Sequence, residues 1–400
     1  MKRDSKFPPE LKTLFRTVIA DRLAMVKTDQ EGVKIGSGSF SPEGRNKYEA
    51  LKQMIDTDPE LESRFLDSRD WCQDDDELAL SLDVNVRRYI TVAVERQVAL
   101  GRLELTERDF EELWREICNY ALRKTLDWEF VAPVKHLIVP AIDSVSFSKW
   151  CKIRPLAEEE IEKPRDDNDR YFNPPARYGI ELRLWGEPRR HHLAPAAAME
   201  PLAIALAVLR LYKVQPVWLN SVTASSNSPF DKGGLTWRPF EWTGHRVDPY
   251  CTDRSEPYSL ERQDVKRLSS AWEALWVSYH GTEDVKRSLD LYNEAFEQST
   301  HIAAFLRVWG AIEAAFVPRG TRRIGEVAAK TLAELLEPVG EARDDTKRRL
   351  RESYRHRSET VHGGRELSDS EIMSSCAFAS RSYRRASLIR LRIRGSEESV

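Results

Sequence analysis

The chain has 400 residues and a formal net charge of −3, long enough for two or three cores and too nearly neutral to be a polycation throughout. Its 18 glycines and 20 prolines are close to average, which excludes a collagen-like or wholly disordered chain. The five cysteines, Cys72, Cys118, Cys151, Cys251 and Cys376, are scattered and form no CxxC pair, so they exclude a disulfide framework and a zinc cluster.

Reduced thiols suit a cytoplasmic protein. Met1–Pro9 has no apolar run of the kind that marks a signal peptide. The most apolar stretch, Leu202–Leu209, is bracketed by Glu200 and Arg210 and falls far short of the ~20 residues a membrane span needs. It predicts a buried helix, and no membrane partner.

Residues 1–126 predict a helical region. Leu11, Leu14, Phe15, Val18, Ile19 and Leu23 recur at the three- and four-residue spacing of one helical face. Val84–Leu100 and Phe110–Leu122 repeat the pattern, and Thr106 with Asp109 suits the start of the second. The acidic run Asp74–Glu77 reads as a solvated loop. Gly36-Ser-Gly38-Ser-Phe lacks the Lys and the preceding strand of a phosphate loop and reads as a flexible connection.

Residues 127–254 predict a mixed α/β module. Val131–Ile142 is rich in Val and Ile, with Pro133 and Pro140 as interruptions. Tyr178–Trp185 alternates apolar and polar residues, and Pro216–Thr223 is a further candidate strand. A helix over 196–212 separates the last two. The pair His191-His192 reads as a surface loop. The long polar connections Asp166–Asn173 and Ala224–Asp248 have the length of binding elements or of mobile loops. Trp237 and Trp242 in the second read as closing a small core, with base stacking as the alternative.

Residues 255–395 predict an all-α domain, with helices over 259–279, 283–297, 300–316, 322–337, 343–361 and 368–392. Pro318 and Gly320, Pro338 and Gly340, and Gly363-Gly364 supply the stops. The chain as a whole is therefore expected to be α+β, multidomain and mainly α-helical. Between residues 347 and 394 there are 13 Lys/Arg against 5 Asp/Glu, a local positive excess in a slightly acidic chain. That is the electrostatic footprint of a polyanion such as RNA, and it makes Arg348, Arg351, Arg355 and His356 candidate RNA contacts. A solvated Arg-rich helix with pairs such as Arg348–Glu352 has the same composition.

Within this segment Arg357 and His362 carry the chemistry. A histidine exchanges a proton near neutral pH, and an arginine holds a phosphate with a rigid fork of donors. Together they suffice to cleave RNA without a metal or cofactor: the base takes the ribose 2′-OH proton, the oxygen attacks its own phosphate, and arginine stabilises the charge on the phosphoryl oxygens. Positions five apart lie about 140° apart on a straight helix. The two side chains therefore converge only where the helix ends or across a symmetric interface.

The segment Tyr354-Arg-His-Arg357-Ser358-Glu-Thr-Val361-His362-Gly363, with the upstream helix carrying Trp309, Glu313 and Phe316, resembles the Apea-like branch of the HEPN superfamily over about residues 260–392. Ile153–Glu160 is similar to a segment preceding such domains. The resemblance implies an all-α HEPN-like bundle, endoribonuclease activity in phage defence or a toxin-like system, and a homodimer. A trigger protein or antitoxin is implied as a further partner. It makes Arg357 and His362 catalytic, with Ser358, Glu313 and Tyr354 in support. Glu359 departs from the pattern, and an acid beside a phosphate site weakens anion binding unless it faces away. A non-catalytic RNA- or nucleotide-binding and dimerisation module is the alternative function.

Overall fold

The computed structural model describes residues 7–28, 40–65, 75–123, 125–139, 144–161, 175–188, 193–219, 221–226, 235–237, 246–252, 257–363 and 366–393. The Gly36–Phe40 stretch up to residue 39, Cys72, Asp166–Asn173, His191-His192, Trp242 and Gly364 lie outside these residues. Twelve helices and a small amount of strand are described, so the chain is α+β and mainly helical, as expected. No described helix is long and apolar enough to cross a membrane.

The chain forms two compact units. One comprises Met1–Trp128, Trp185–Ala196 and Ser225–Leu235, and the other Glu129–Leu184, Ala197–Ala224 and Thr236–Val400. In the first unit lie α1 (Pro9–Thr28), α2 (Pro42–Thr57), α3 (Pro59–Phe65), α4 (Asp75–Ala99) and α5 (Glu107–Ala121). Their apolar faces enclose Phe15, Phe65, Tyr89 and Trp114, whose rings lie 5.5–6.5 Å apart in tilted, edge-on and stacked contacts. Thr106 caps α5 by accepting from the Asp109 N–H at 3.2 Å. One expectation is corrected here. Asp75, Asp76 and Glu77 open α4 instead of forming a loop; a helix start is where the macrodipole favours acids.

The second unit holds most of the sheet. β1 (Thr125–Lys135), β3 (Val145–Ser146), β4 (Cys151–Pro155), β5 (Tyr178–Pro188), β7 (Val222–Ser226) and β8 (Leu235–Trp237) run in the order β3-β4-β5-β1-β7-β8, and β6 (Trp218–Leu219) also pairs with β1. β4 and β5 are antiparallel, with Ile153 opposite Ile180. Pro133 was expected to interrupt a strand, yet β1 runs through it: a proline forfeits only its own N–H. The expected strand over 216–223 is two short strands, β6 and β7. The segment resembling a family leader is a clasp. Arg154 donates to both Glu160 oxygens at 2.6 and 2.7 Å and to Glu181 at 2.5 Å.

The helices of this unit are α6 (Leu193–Tyr212), α7 (Arg262–Gly281), α8 (Glu283–Ala295), α9 (His301–Phe316), α10 (Ile324–Leu336), α11 (Glu341–His362) and α12 (Asp369–Arg390). Only the residues of α6 from Ala197 onward belong to it. Ser259, expected to start a helix, instead pairs in β9 (Tyr258–Ser259) with β2 (Leu137–Ile138). α7 begins after Glu261, whose N–H donates to Asp264 at 2.9 Å. Gly363 ends α11 at φ 67°, a conformation that favours glycine.

Arg210, fully buried on α6, ties the sheet-bearing segment to the helices. It donates to Val217 O at 3.0 Å, Asn293 O at 3.0 Å and Glu297 at 2.7 Å. Removing one member of a buried pair leaves its partner's charge without compensation, at a cost of about 3–5 kcal/mol. Arg210→Ala is therefore expected to lower unfolding free energy by about that amount in urea titrations, whereas exposed Arg348→Ala stays within about 0.5 kcal/mol. Equal midpoints for the two variants would contradict this role.

Candidate active site

The inner face of α11 is unusually polar. Its buried residues are Leu350, Ser353 and His356, so packing alone cannot fix how the helix is turned. Hydrogen bonds do so. Trp309 Nε1 on α9 donates to Ser353 Oγ at 3.1 Å, Ser353 Oγ donates to Ser375 O on α12 at 3.4 Å, and His356 Nδ1 lies 2.7 Å from Ser375 Oγ. A buried polar chain with every member partnered specifies one arrangement. His356, expected at an exposed RNA-contacting position, is thus corrected to a buried structural residue, 8% exposed.

Four residues after Ser353, one turn further along the same face, comes Arg357. It is half-buried, and its Nη2 approaches Glu313 Oε1 at 3.5 Å. Trp309 and Glu313 on α9 therefore face Ser353 and Arg357 on α11 in matching steps of four. Tyr354 completes the contact: its ring meets Trp309 edge-on at 5.1 Å, and the Arg357 guanidinium sits 5.7 Å from its centroid. Gly325 on α10 lies so close that a Cβ there would overlap the Tyr354 ring.

The Arg357–Glu313 approach is an ion pair without a hydrogen bond. Both Arg357 Nε and Glu313 Oε1 are covered from solvent and lack a hydrogen-bond partner. Burial pushes the Glu313 carboxyl above its ordinary range, and the charges of Arg357 and Arg287 only partly offset this. Both residues open onto a cleft of about 650 Å³ between α8, α9 and the turn before α10. Arg287, Arg307 and Arg319 also line it.

His362 lies elsewhere. α11 is helical through His362, which is exposed and does not border the cleft. Nine residues separate it from Ser353, about half a turn around the helix, so it projects from the side opposite the buried seam. Within one chain Arg357 and His362 are not brought together. Ser358 is half-buried one position past Arg357.

The remaining candidates are surface arginines with acidic neighbours. Arg348 pairs with Asp345 at 2.5 Å, not with Glu352, and Arg351 pairs with Glu326. Arg355 lies 3.7 Å from both Glu352 and Glu359. Glu359 is thus turned to Arg355 and does not line the cleft. Sequence reasoning missed Arg287, Arg307 and Arg319, which come from other elements. No protein-family model, curated protein or solved structure matches this chain.

The Glu313 shift has a checkable consequence. Its ionised form is disfavoured in the folded state. The stability it contributes relative to a neutral side chain is therefore fully present below its unfolded value, about pH 4.3, and is lost as pH rises through the raised folded value. The melting temperature of the wild type minus that of Glu313→Gln is expected to be larger at pH 4 than at pH 7. A difference that grows with pH would show that Arg357 outweighs burial.

Proposed function

We propose that the C-terminal helices form a HEPN-type bundle that cleaves RNA without a metal, as a homodimer in the cytoplasm. The observation that carries this reading is Arg357: a half-buried guanidinium at the edge of an arginine-lined cleft, held beside Glu313 and Tyr354 without a hydrogen bond to the carboxylate. Such a group is suited to phosphoryl oxygens.

In this account His362 takes the proton of a ribose 2′-OH. The freed oxygen attacks the adjacent phosphorus, the bond to the 5′-oxygen breaks, and a proton returns to that oxygen. The products are a cyclic phosphate and a 5′-hydroxyl end. Arg357 stabilises the charge on the non-bridging oxygens. Because His362 points away from its own chain's cleft, the histidine of one chain serves the arginine of the other. A toxin or phage-defence setting, with a trigger or antitoxin partner, fits such an activity.

The exposed, cleft-distant position of His362 also favours a second reading, a non-catalytic RNA- or nucleotide-binding module. Incubating the full chain with total RNA in EDTA separates the two. The nuclease reading expects new 5′-hydroxyl ends, reduced about 10²–10⁴-fold in His362→Ala and about 10²–10³-fold in Arg357→Ala. Binding of RNA with identical, background cleavage by all three proteins would establish the second reading instead.

A further inference from the structure

The Arg357–Tyr354 pair has a cleft on each side. The larger is the one described above. A second, of about 310 Å³, is lined by Arg322, Arg323, Gly325, Glu326, Arg351 and Tyr354. Ile324 borders both. Both volumes fall in the ~300–1,000 Å³ range of ligand sites. Between them runs the turn Arg319-Gly-Thr-Arg322-Arg323, which leads into α10.

Charge on the two walls is lopsided. Seven arginines border the two clefts against three carboxylates, Asp284, Glu313 and Glu326. Several of the arginines have local acidic partners: Arg307 with Glu294, Arg319 with Asp284, Arg351 with Glu326. Arg322 and Arg323 are exposed, and neither has a carboxylate within ion-pair distance among the described residues. They also stand against the first turn of α10, where the helix dipole favours negative charge. Two unpaired cations placed there disfavour the helix, unless an anion lies beside them.

The larger cleft also has apolar lining. Leu291, Leu306 and Ala314 are half-buried apolar residues facing the open space. Apolar side chains beside arginines in one cleft suit an unpaired base with its phosphate. A paired base, stacked inside a duplex, cannot lay its face on such apolar side chains.

We infer that the two clefts form one track for single-stranded RNA, which crosses the Tyr354–Arg357 pair, rests a base on Leu291, Leu306 and Ala314, and sets its phosphates on Arg322 and Arg323. The inference rests on Arg357 being the RNA-facing residue of the proposed site. It deepens that reading by naming the substrate as single-stranded and by assigning phosphate contacts outside α11.

The test measures binding, so it does not depend on cleavage. In a full-length His362→Ala background, a labelled unstructured oligoribonucleotide and the same strand in an RNA duplex are titrated by anisotropy over a range of salt. The single strand is expected to bind more tightly than the duplex. Arg322→Ala with Arg323→Ala is expected to weaken its binding about tenfold or more and to reduce the salt slope by about 1.4, the loss of two single-strand phosphate contacts. A charge-matched pair, Arg108→Ala with Arg115→Ala, removes two exposed arginines of the other unit and is expected to bind as the parent does. Duplex binding equal to or tighter than the single strand, or an unchanged affinity in the Arg322/Arg323 variant, overturns the track. Cleavage by the wild type with no dependence on the track would sink this inference alone. Track-dependent binding without cleavage would sink only the nuclease.

Discussion

The hydrogen-bonded seam from Trp309 through Ser353 and Ser375 to His356 decides how α11 is turned, and the rest of the site depends on that rotation. A helix with only Leu350 as a buried aliphatic residue gains little from apolar burial. Its orientation is specified by polar partners that must all be met, since a buried donor or acceptor left unmet costs roughly 1–3 kcal/mol. Once Ser353 and His356 face inward, Arg357 has to lie beside α9, where Glu313 waits one turn along from Trp309. Arg348, Arg351 and Arg355 then line the outer flanks, and His362 is left on the far side.

That rotation accounts for the electrostatics of the site. Glu313 is buried enough for desolvation to outweigh its arginine neighbours, and it approaches Arg357 without a hydrogen bond. The guanidinium is therefore held but not used up. Glu359, which the sequence alone makes an objection to anion binding, is turned to Arg355 and away from the cleft. The acid that matters for Arg357 sits on another helix.

Much of the helical part was legible beforehand because its punctuation is local. Pro318, Gly320, Pro338, Gly340 and Gly363 end or separate helices by steric rules that need no tertiary context. Thr106 likewise announced α5. Expectations failed where partners decide. Ser259 looked like a helix start and is held in a parallel strand pair with Ile138. The acids after Asp74 looked like a loop and open a helix. His356, among arginines, looked exposed; its spacing from Leu350 and Ser353, three residues each, was the available sign that it faces inward. Arg287, Arg319, Arg322 and Arg323 come from other elements and could not be joined to Arg357 by sequence distance. The one local sign was two arginines directly before a helix, where acids are the rule.

The central claim is that Arg357 and His362 act together only when they come from two chains. Mixing Arg357→Ala with His362→Ala chains tests it most directly. A composite site predicts that each mutant alone is inactive and that the mixture, in which half the dimers carry one intact site, recovers about a quarter of wild-type RNA cleavage. A mixture as inactive as its components, beside a cleaving wild type, would contradict the account and return both residues to a single chain.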